Sequence, residues 1–316
     1  MSLTRLIKSA FRQVGLEIHR AAPPTSTDAT PVTATIGGFP ILVPGDTHLR
    51  SWFAGHPDYL RQLERLSRML QAEWPDLVAV DVGANVGDSL ALIKAGADVP
   101  VICVEGDPKV LPLTRRNVAQ FSRIQLVETY VAERDSERQV AISKAGWNST
   151  LSQGSGPQET VRFRSLDNIL VSLGGYPRHG LLKVDVEGYE PQVLAGAGGF
   201  LAATQPVVVV EYNEDALAET GQDGDGLLGR LVAAGYGPVL WYEAEGAYLT
   251  AGDLSDPVTR AEIGRYCRCR YRTSLYLDLI VFPVAQRGLF ERFRAAEAAH
   301  EPRSNRASRN VRSGNA

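Results

Sequence analysis

The sequence predicts an α/β protein built on a mostly parallel sheet covered by helices. Three observations predict it. From position 77 onward short β-branched runs alternate with helical stretches; the runs are apolar throughout; and acids and glycines gather just after several of them. A strand apolar on both sides is buried on both faces, which calls for helices above and below a parallel sheet. Sheets of this kind bind ligands beyond the carboxyl ends of their strands, where the strand order reverses. The residues that follow each strand therefore carry the most weight.

Taken in order, strands are expected at 78–81, 101–104, 124–131, 181–186, 207–210, 239–242 and 276–282, with further short ones at 140–142 and 161–163. Helices are expected at 88–95, 108–120, 191–203 and 227–234. Ahead of this core, 33–43 reads as a strand pair around Gly37-Gly38, and Leu60, Leu63, Leu66 and Leu70 mark a helix. Residues 1–20 read as an amphipathic, basic helix that can rest on an anionic membrane, on the main domain or on a second subunit. Residues 21–32, rich in Pro, Ser and Thr, read as a linker. The organisation expected is thus a terminal helix (1–20), a linker (21–32), an extension on the acceptor side (33–74), a main domain (75–290, with an insertion at 243–275) and a basic, disordered tail (291–316).

Composition excludes several classes. With 44% hydrophobic and 22% charged residues, the 316-residue chain is an ordinary globular protein. Lys and Arg number 33 and Asp and Glu 36, a net charge of −3 that argues against a surface built for nucleic acid. Cys103, Cys267 and Cys269 make neither a zinc set nor a disulfide framework and fit a reducing compartment. No apolar run is long enough to span a bilayer, and the first 20 residues lack a signal-peptide pattern, so a cytoplasmic protein is expected.

The first strand ends in Asp81-Val82-Gly83-Ala84-Asn85-Val86-Gly87-Asp88. Gly83 allows a sharp turn, Gly87 a close approach, and the helix that follows offers free N–H groups and the positive end of its dipole. The spacing is not the Gly-x-Gly-x-x-Gly that a pyrophosphate calls for, since Asn85 stands where the middle glycine would fall. The second strand ends in Glu105, followed by Gly106-Asp107; an acid here can accept hydrogen bonds from ribose hydroxyls. An acid at the head of the loop suits an ammonium group. Together these residues (Asp81, Gly83, Ala84, Asn85, Gly87, Asp88, Glu105 and Asp107) point to an adenosine-bearing cofactor without a pyrophosphate, a description that S-adenosylmethionine fits better than the alternative, a nicotinamide cofactor.

The segment Lys183-Val184-Asp185-Val186-Glu187-Gly188-Tyr189-Glu190 places charges at the end of a buried strand. That is costly unless the charges act on something, or unless they neutralise each other and cap the next helix, for which Glu190 is well placed. Alternation puts Lys183, Asp185 and Glu187 on one side if the strand runs that far. The next strand ends in Glu211.

Asp81 to Gly87, Glu105 and above all the segment 183–190 resemble the FkbM family of S-adenosylmethionine-dependent methyltransferases. Ser165-Leu166-Asp167-Asn168, Val193-Leu194-Ala195-Gly196-Ala197, the valine strand ending at Glu211 and Gly235-Tyr236 add to the likeness, which covers roughly residues 75–242. Gly106 departs from it, a proline being usual there. The resemblance implies a Rossmann-like class I methyltransferase fold: a mostly parallel seven-stranded sheet with an antiparallel last strand, here with an N-terminal helical and β extension. It also implies methyl transfer to an oxygen, of a carbohydrate (nucleotide sugar, glycolipid or polysaccharide) or, alternatively, of a polyketide or macrolide.

An alcohol needs a general base, and Asp185 is the first candidate. Glu187 is the alternative base or a ligand of the acceptor, and Lys183 can lower the carboxylate's pKa or orient it. The alternative reading of Asp185, Glu187 and Glu211 is as ligands of a divalent cation that binds two sugar hydroxyls, although no metal signature is present. Arg260, Arg265, Arg268, Arg270 and Arg272, interleaved with Tyr266 and Tyr271, suit an anionic group on the acceptor or a solvated connection. Trp147-Asn148-Ser149-Thr150 reads as a loop near the cofactor or acceptor, and His56 and His179 are minor candidates as bases. A nucleic-acid methyltransferase would need a base-recognition motif of the Asn-Pro-Pro-Tyr type, which is absent.

Overall fold

The computed structural model describes residues 29–145, 148–152, 158–268 and 276–300. The expected helix at 1–20, most of the linker, Trp147, Cys269, Arg270, Tyr271, Arg272 and residues 301–316 lie outside them.

In chain order the elements are β1 (Val32–Ile36), β2 (Phe39–Val43), α1 (Leu49–Gly55), α2 (Arg61–Glu73), β3 (Val78–Val82), α3 (Asp88–Gly96), β4 (Val101–Glu105), α4 (Leu111–Val118), β5 (Ile124–Glu128), β6 (Tyr130–Val131), β7 (Ser136–Ala145), β8 (Asn148–Ser152), β9 (Gln158–Arg164), α5 (Leu166–Ser172), β10 (Gly180–Val184), α6 (Glu190–Ala195), α7 (Gly198–Thr204), β11 (Val207–Tyr212), α8 (Glu214–Glu219), α9 (Gly224–Ala233), β12 (Tyr236–Glu243), β13 (Tyr248–Asp253), α10 (Pro257–Arg268), β14 (Leu277–Pro283) and α11 (Arg287–Ala299).

The main sheet is eight-stranded, in the order β13-β12-β14-β11-β10-β3-β4-β5. The run from β11 to β5 is parallel, and β14 enters antiparallel between β11 and β12. This is the Rossmann-like class I methyltransferase arrangement, with the strand order reversing between β3 and β10. One strand more than expected is present. A hairpin at Gly246 turns β12 back into β13 at the sheet edge, inside the expected insertion at 243–275. Its half-exposed, mixed sequence carries no apolar run to mark it.

Two cores flank the sheet. One packs β1, β2, α2, α3 and α11 onto a face that includes Ala79, Cys103, Val209, Ile280 and Phe282. The other packs α5 to α10 onto the face that includes Val80, Val82, Leu182, Val208 and Val210. Leu63, Leu66 and Leu70 are fully buried as their spacing predicts, whereas Leu60 caps α2 in a left-handed conformation instead of joining it.

Several boundaries differ from expectation. The strand expected at 124–131 splits at Thr129, whose N–H bonds the Glu105 carbonyl, and β6 leaves for a second, four-stranded sheet ordered β6-β9-β7-β8. Asn148 to Thr150, expected in a loop, lie in β8. The helix expected at 191–203 breaks into α6 and α7 around Gly196, where a side chain would strike the Ala132 carbonyl. Residues 291–299, expected to open the disordered tail, belong to α11. Phe290 and Phe293 are buried in the core, and buried Glu297 accepts from Arg65 of α2 at 2.5 and 2.6 Å and from the Tyr242 hydroxyl at 2.9 Å. Among the described residues no helix is long and apolar enough to cross a membrane.

Candidate active site

The loop between β3 and α3 is held from below. Gly83 and Ala84 donate their N–H groups to the Val104 carbonyl at 3.0 and 3.1 Å, and Gly87 donates to Ala84 at 2.7 Å. Asn85 donates to Glu105 Oε2 at 2.8 Å, and its carbonyl accepts from the Thr114 hydroxyl at 2.5 Å. Asn117 Nδ2 donates to the Val86 carbonyl at 2.8 Å. Asn85 has φ +46°, the left-handed region that Asn tolerates better than most residues, so it does the work expected of a middle glycine. Gly83, at φ +80°, is required twice over: a side chain there would meet the Asp185 carbonyl oxygen at 1.8 Å. Gly87, at φ +89°, is needed for its conformation; a Cβ there would make only ordinary contacts, so no close approach explains it.

Glu105 ends β4 and faces the loop. Its Oε1 accepts from the N–H groups of Gly106 and Asp107 at 2.8 and 2.7 Å, its Oε2 from Asn85. Burial raises its pKa, and these three N–H groups work against that rise. A carboxylate offers about four acceptor sites, so one site on Oε2 remains for a ribose hydroxyl, where two hydroxyls were expected. Asp107, expected to touch the cofactor, is buried and caps the turn into α4 by accepting from Lys109 N–H at 2.8 Å.

Asp81 has no exposed surface. Its Oδ2 accepts from the Ser89 hydroxyl at 2.6 Å, and its Oδ1 lies 3.6 Å from Lys183 Nζ without a hydrogen-bond donor. Burial raises its pKa against the opposing pull of Lys183. Asp88, at the start of α3, is pushed by burial up to about 6. These observations bear on an adenosyl amino acid as ligand. Asp81 Oδ1 is an orphaned buried acceptor that a donor from an ammonium would complete. The N–H groups of Gly83, Ala84, Asn85 and Gly87 are already used, so a carboxylate fits the uncapped first turn of α3 better than the loop itself. On these grounds the residues fit such a ligand.

Across the strand-order reversal, β10 stops at Val184. Lys183 lies opposite Asp81 in register and reaches Asp185 Oδ2 at 3.1 Å. Burial alone would lower its pKa; Asp185, Asp81 and Asp88 outweigh burial and hold the ammonium above the usual lysine range. Asp185 is the open member of the group, its side chain 28% exposed. The same-side alternation expected for Glu187 does not hold, because the chain turns at Val186 and Glu187 takes φ +54°. Its charge still acts on the group, adding to burial and Asp185 in raising the Glu211 pKa. Glu190 folds back on the turn and accepts from the N–H groups of Val186 and Gly188 at 2.9 and 3.2 Å. It therefore braces the turn ahead of α6 instead of capping that helix as expected, and burial pushes it up to about 7.

Two members of the site carried little signal in the sequence. Asp278 of β14 is 5% exposed, and Gln62 of α2 donates to its Oδ2 at 3.0 Å. The signal available was a lone acid within an otherwise apolar strand. Burial, then the Asp185 charge, push Asp278 up to about 7. The sign of the linkage follows. Near pH 5 the folded protein keeps a proton on Asp278 that the unfolded chain has lost, so this residue's contribution to stability declines as pH rises from about 4 to about 7. Asp278→Asn removes that decline. Compared with the parent by urea unfolding, the variant gains on the order of a few kcal/mol between pH 5 and pH 8; equal pH slopes in the two proteins would contradict it.

Other candidates lie elsewhere. His179 pairs with Asp76 at 2.7 Å at the opposite end of the sheet, and His56 bonds the Trp52 carbonyl. Arg260 pairs with Asp225, and Arg268 with Glu214, on α10, a helix where a connection was one of the two readings. Among the described residues no group of three or more His, Cys, Asp or Glu is arranged to hold a metal ion.

The Methyltransferase FkbM domain matches residues 81–237. No curated protein matches the chain. Among solved structures, methyltransferase FkbM from Methylobacillus flagellatus KT is similar at 22% identity and a TM-score of 0.32, over 42% of this chain and 32% of that one, so the chain spans about a third of its length. Precorrin-6y C5,15-methyltransferase from Geobacter metallireducens GS-15 is similar at 12% identity and a TM-score of 0.33, over 65% and 78%. P. horikoshii TYW2 in complex with MeSAdo is similar at 13% and 0.37, over 88% and 82%. Residues 81–237 thus carry a methyltransferase FkbM domain, on a sheet with this strand order and with the two charged segments at its centre.

Proposed function

We propose that the protein is an S-adenosylmethionine-dependent O-methyltransferase whose acceptor is a hydroxyl of a carbohydrate: a nucleotide sugar, a glycolipid or a polysaccharide. One observation carries this reading. Asp185, an open carboxylate held by buried Lys183, stands where its own backbone closes against Gly83 of the cofactor loop, so a base and a cofactor cradle share one wall.

S-adenosylmethionine, when bound, supplies an electrophilic methyl group on a sulfonium. Glu105 would hold a ribose hydroxyl on its remaining acceptor site, Asp81 would face the ammonium, and the first turn of α3 would face the carboxylate. Asp185 would take the proton of the acceptor hydroxyl, which makes that oxygen nucleophilic enough for an electrophilic methyl group. Lys183 fixes the Asp185 carboxylate in place and offsets the negative charge around it. Glu187 stands ready as the alternative base or as a ligand of the acceptor.

The reading is tested by calorimetry with S-adenosylhomocysteine and with NAD, followed by incubation of the protein with radiolabelled S-adenosylmethionine and host glycans and metabolites. Binding of the first ligand alone, with label in an alkali-stable ether of a sugar, is the expected result. Uptake of NAD in its place would remove the cofactor assignment; label in a polyketide would move the acceptor to the second class.

A further inference from the structure

Glu211 and Asp278 have no part in the transfer just described, yet the fold sets them face to face. They are direct partners in the antiparallel pairing of β11 with β14, so their side chains project to the same face of the sheet. That face also carries Lys183 and Asp81, two and three strands away from β14. Two acids opposite each other at 9% and 5% exposure are destabilising, and hydrophobic neighbours line the rest of both strands. Few donors answer them: Asn213 Nδ2 reaches Glu211 Oε1 at 3.2 Å, and Gln62 Nε2 reaches Asp278 Oδ2 at 3.0 Å.

Gln62 supplies an independent sign that something is to be bound. It has no exposed surface, its amide is aimed at Asp278, and its Oε1 has no hydrogen-bond partner. A buried amide oxygen without a donor costs about 1–3 kcal/mol. A proton shared between Glu211 and Asp278 would ease their repulsion and still leave this oxygen unmet. Tyr59 and Tyr276, joined by a hydrogen bond, stand within electrostatic reach of Asp278 and Asp185. Tyr59 and Gln62 belong to the segment that precedes the methyltransferase match, so the N-terminal extension closes over this end of the sheet.

We propose that Gln62, Asp278 and Glu211 form the floor of an acceptor subsite beneath Asp185 and bind the hydroxyl next to the one that is methylated, so that the part of the acceptor seated there is an uncharged ring presenting adjacent hydroxyls. This rests on the O-methyltransferase reading above. A hydroxyl can donate to Gln62 Oε1 or to either carboxyl and can accept from a carboxyl that keeps its proton; Asp278 and Glu211 are both raised by burial in that direction. A phosphate or carboxylate at the same place would meet Asp185, Glu187, Glu211 and Asp278 with Lys183 already engaged by Asp81 and Asp185. A lone hydroxyl on an apolar ring would leave the floor unmet.

The test uses the full chain saturated with S-adenosylhomocysteine and three probes titrated by ligand-observed NMR: methyl α-D-mannopyranoside, sodium glucuronate and cyclohexanol. The neutral glycoside is expected to bind, the other two much more weakly. Gln62→Met and Asp278→Asn should each weaken the glycoside about tenfold, the effect of losing a hydrogen bond at a charged partner, while leaving S-adenosylhomocysteine affinity unchanged and so reporting an intact fold. The proposal is overturned if the glycoside fails to bind, if glucuronate or cyclohexanol binds as well, or if both variants bind the glycoside like the parent. Failure of the parent to bind S-adenosylhomocysteine would strike the cofactor reading instead.

Discussion

Asp185→Asn lowers turnover by about 10²–10⁴-fold, the usual worth of a positioned general base, and leaves S-adenosylhomocysteine affinity unchanged. Asparagine keeps the shape of the side chain and cannot take a proton. The cofactor cradle does not depend on that proton site: Gly83 packs on the Asp185 backbone, which the substitution keeps, and Glu105 is fixed by Asn85, Gly106 and Asp107. Single-turnover transfer from labelled S-adenosylmethionine to the identified acceptor, paired with calorimetry, separates the two effects. Normal turnover in the variant would pass the role of base to Glu187, to be met by Glu187→Gln. Loss of cofactor binding together with turnover would make Asp185 a support of the loop.

Lys183→Met destabilises the protein by about 3–5 kcal/mol at pH 8, because it removes one partner of a buried charge group and leaves the others uncompensated. Lys183 is 4% exposed, 3.1 Å from Asp185 and 3.6 Å from Asp81, and its charge also opposes the rise at Asp88. Methionine matches the length and apolar character of the stem, so lost packing contributes little. The deficit depends on pH. Without the ammonium, Asp81 and Asp88 titrate higher still in the folded state, which then binds more protons than the unfolded chain through the range between about pH 4 and the raised values. The variant therefore loses least near pH 5 and most near pH 8. Urea midpoints at the two pH values measure this, and a deficit that is equal at both would mean that Lys183 acts through packing.

The alternation of apolar runs with helical stretches was enough to place β3, β4, β10, β11, β12 and β14, because strands buried on both faces admit only apolar residues and leave a plain mark. Edge and surface elements leave none: β13 is half exposed and mixed in composition, and β8 reads as a polar loop. Helix α11 went unread for another reason. Its Phe290 and Phe293 follow helical spacing, but the basic stretch after it drew the boundary of the tail too early. In the site, Gly83, Asn85, Glu105, Lys183 and Asp185 were legible because each stands where a local rule is broken, by a positive φ or by a charge at a buried strand end.

The sequence by itself determined the order of strands and turns, and with it the cofactor loop and the charged strand end, since both are contiguous segments whose meaning is local. The tertiary structure alone decided which side chains meet. Lys183 joins Asp81 only through the pairing of β10 with β3, and Asp278 meets Glu211 only because β14 inserts antiparallel beside β11. Gln62 reaches Asp278 across 216 positions of chain. Contacts of that kind follow from the packing of whole elements, and no window of neighbouring residues contains them.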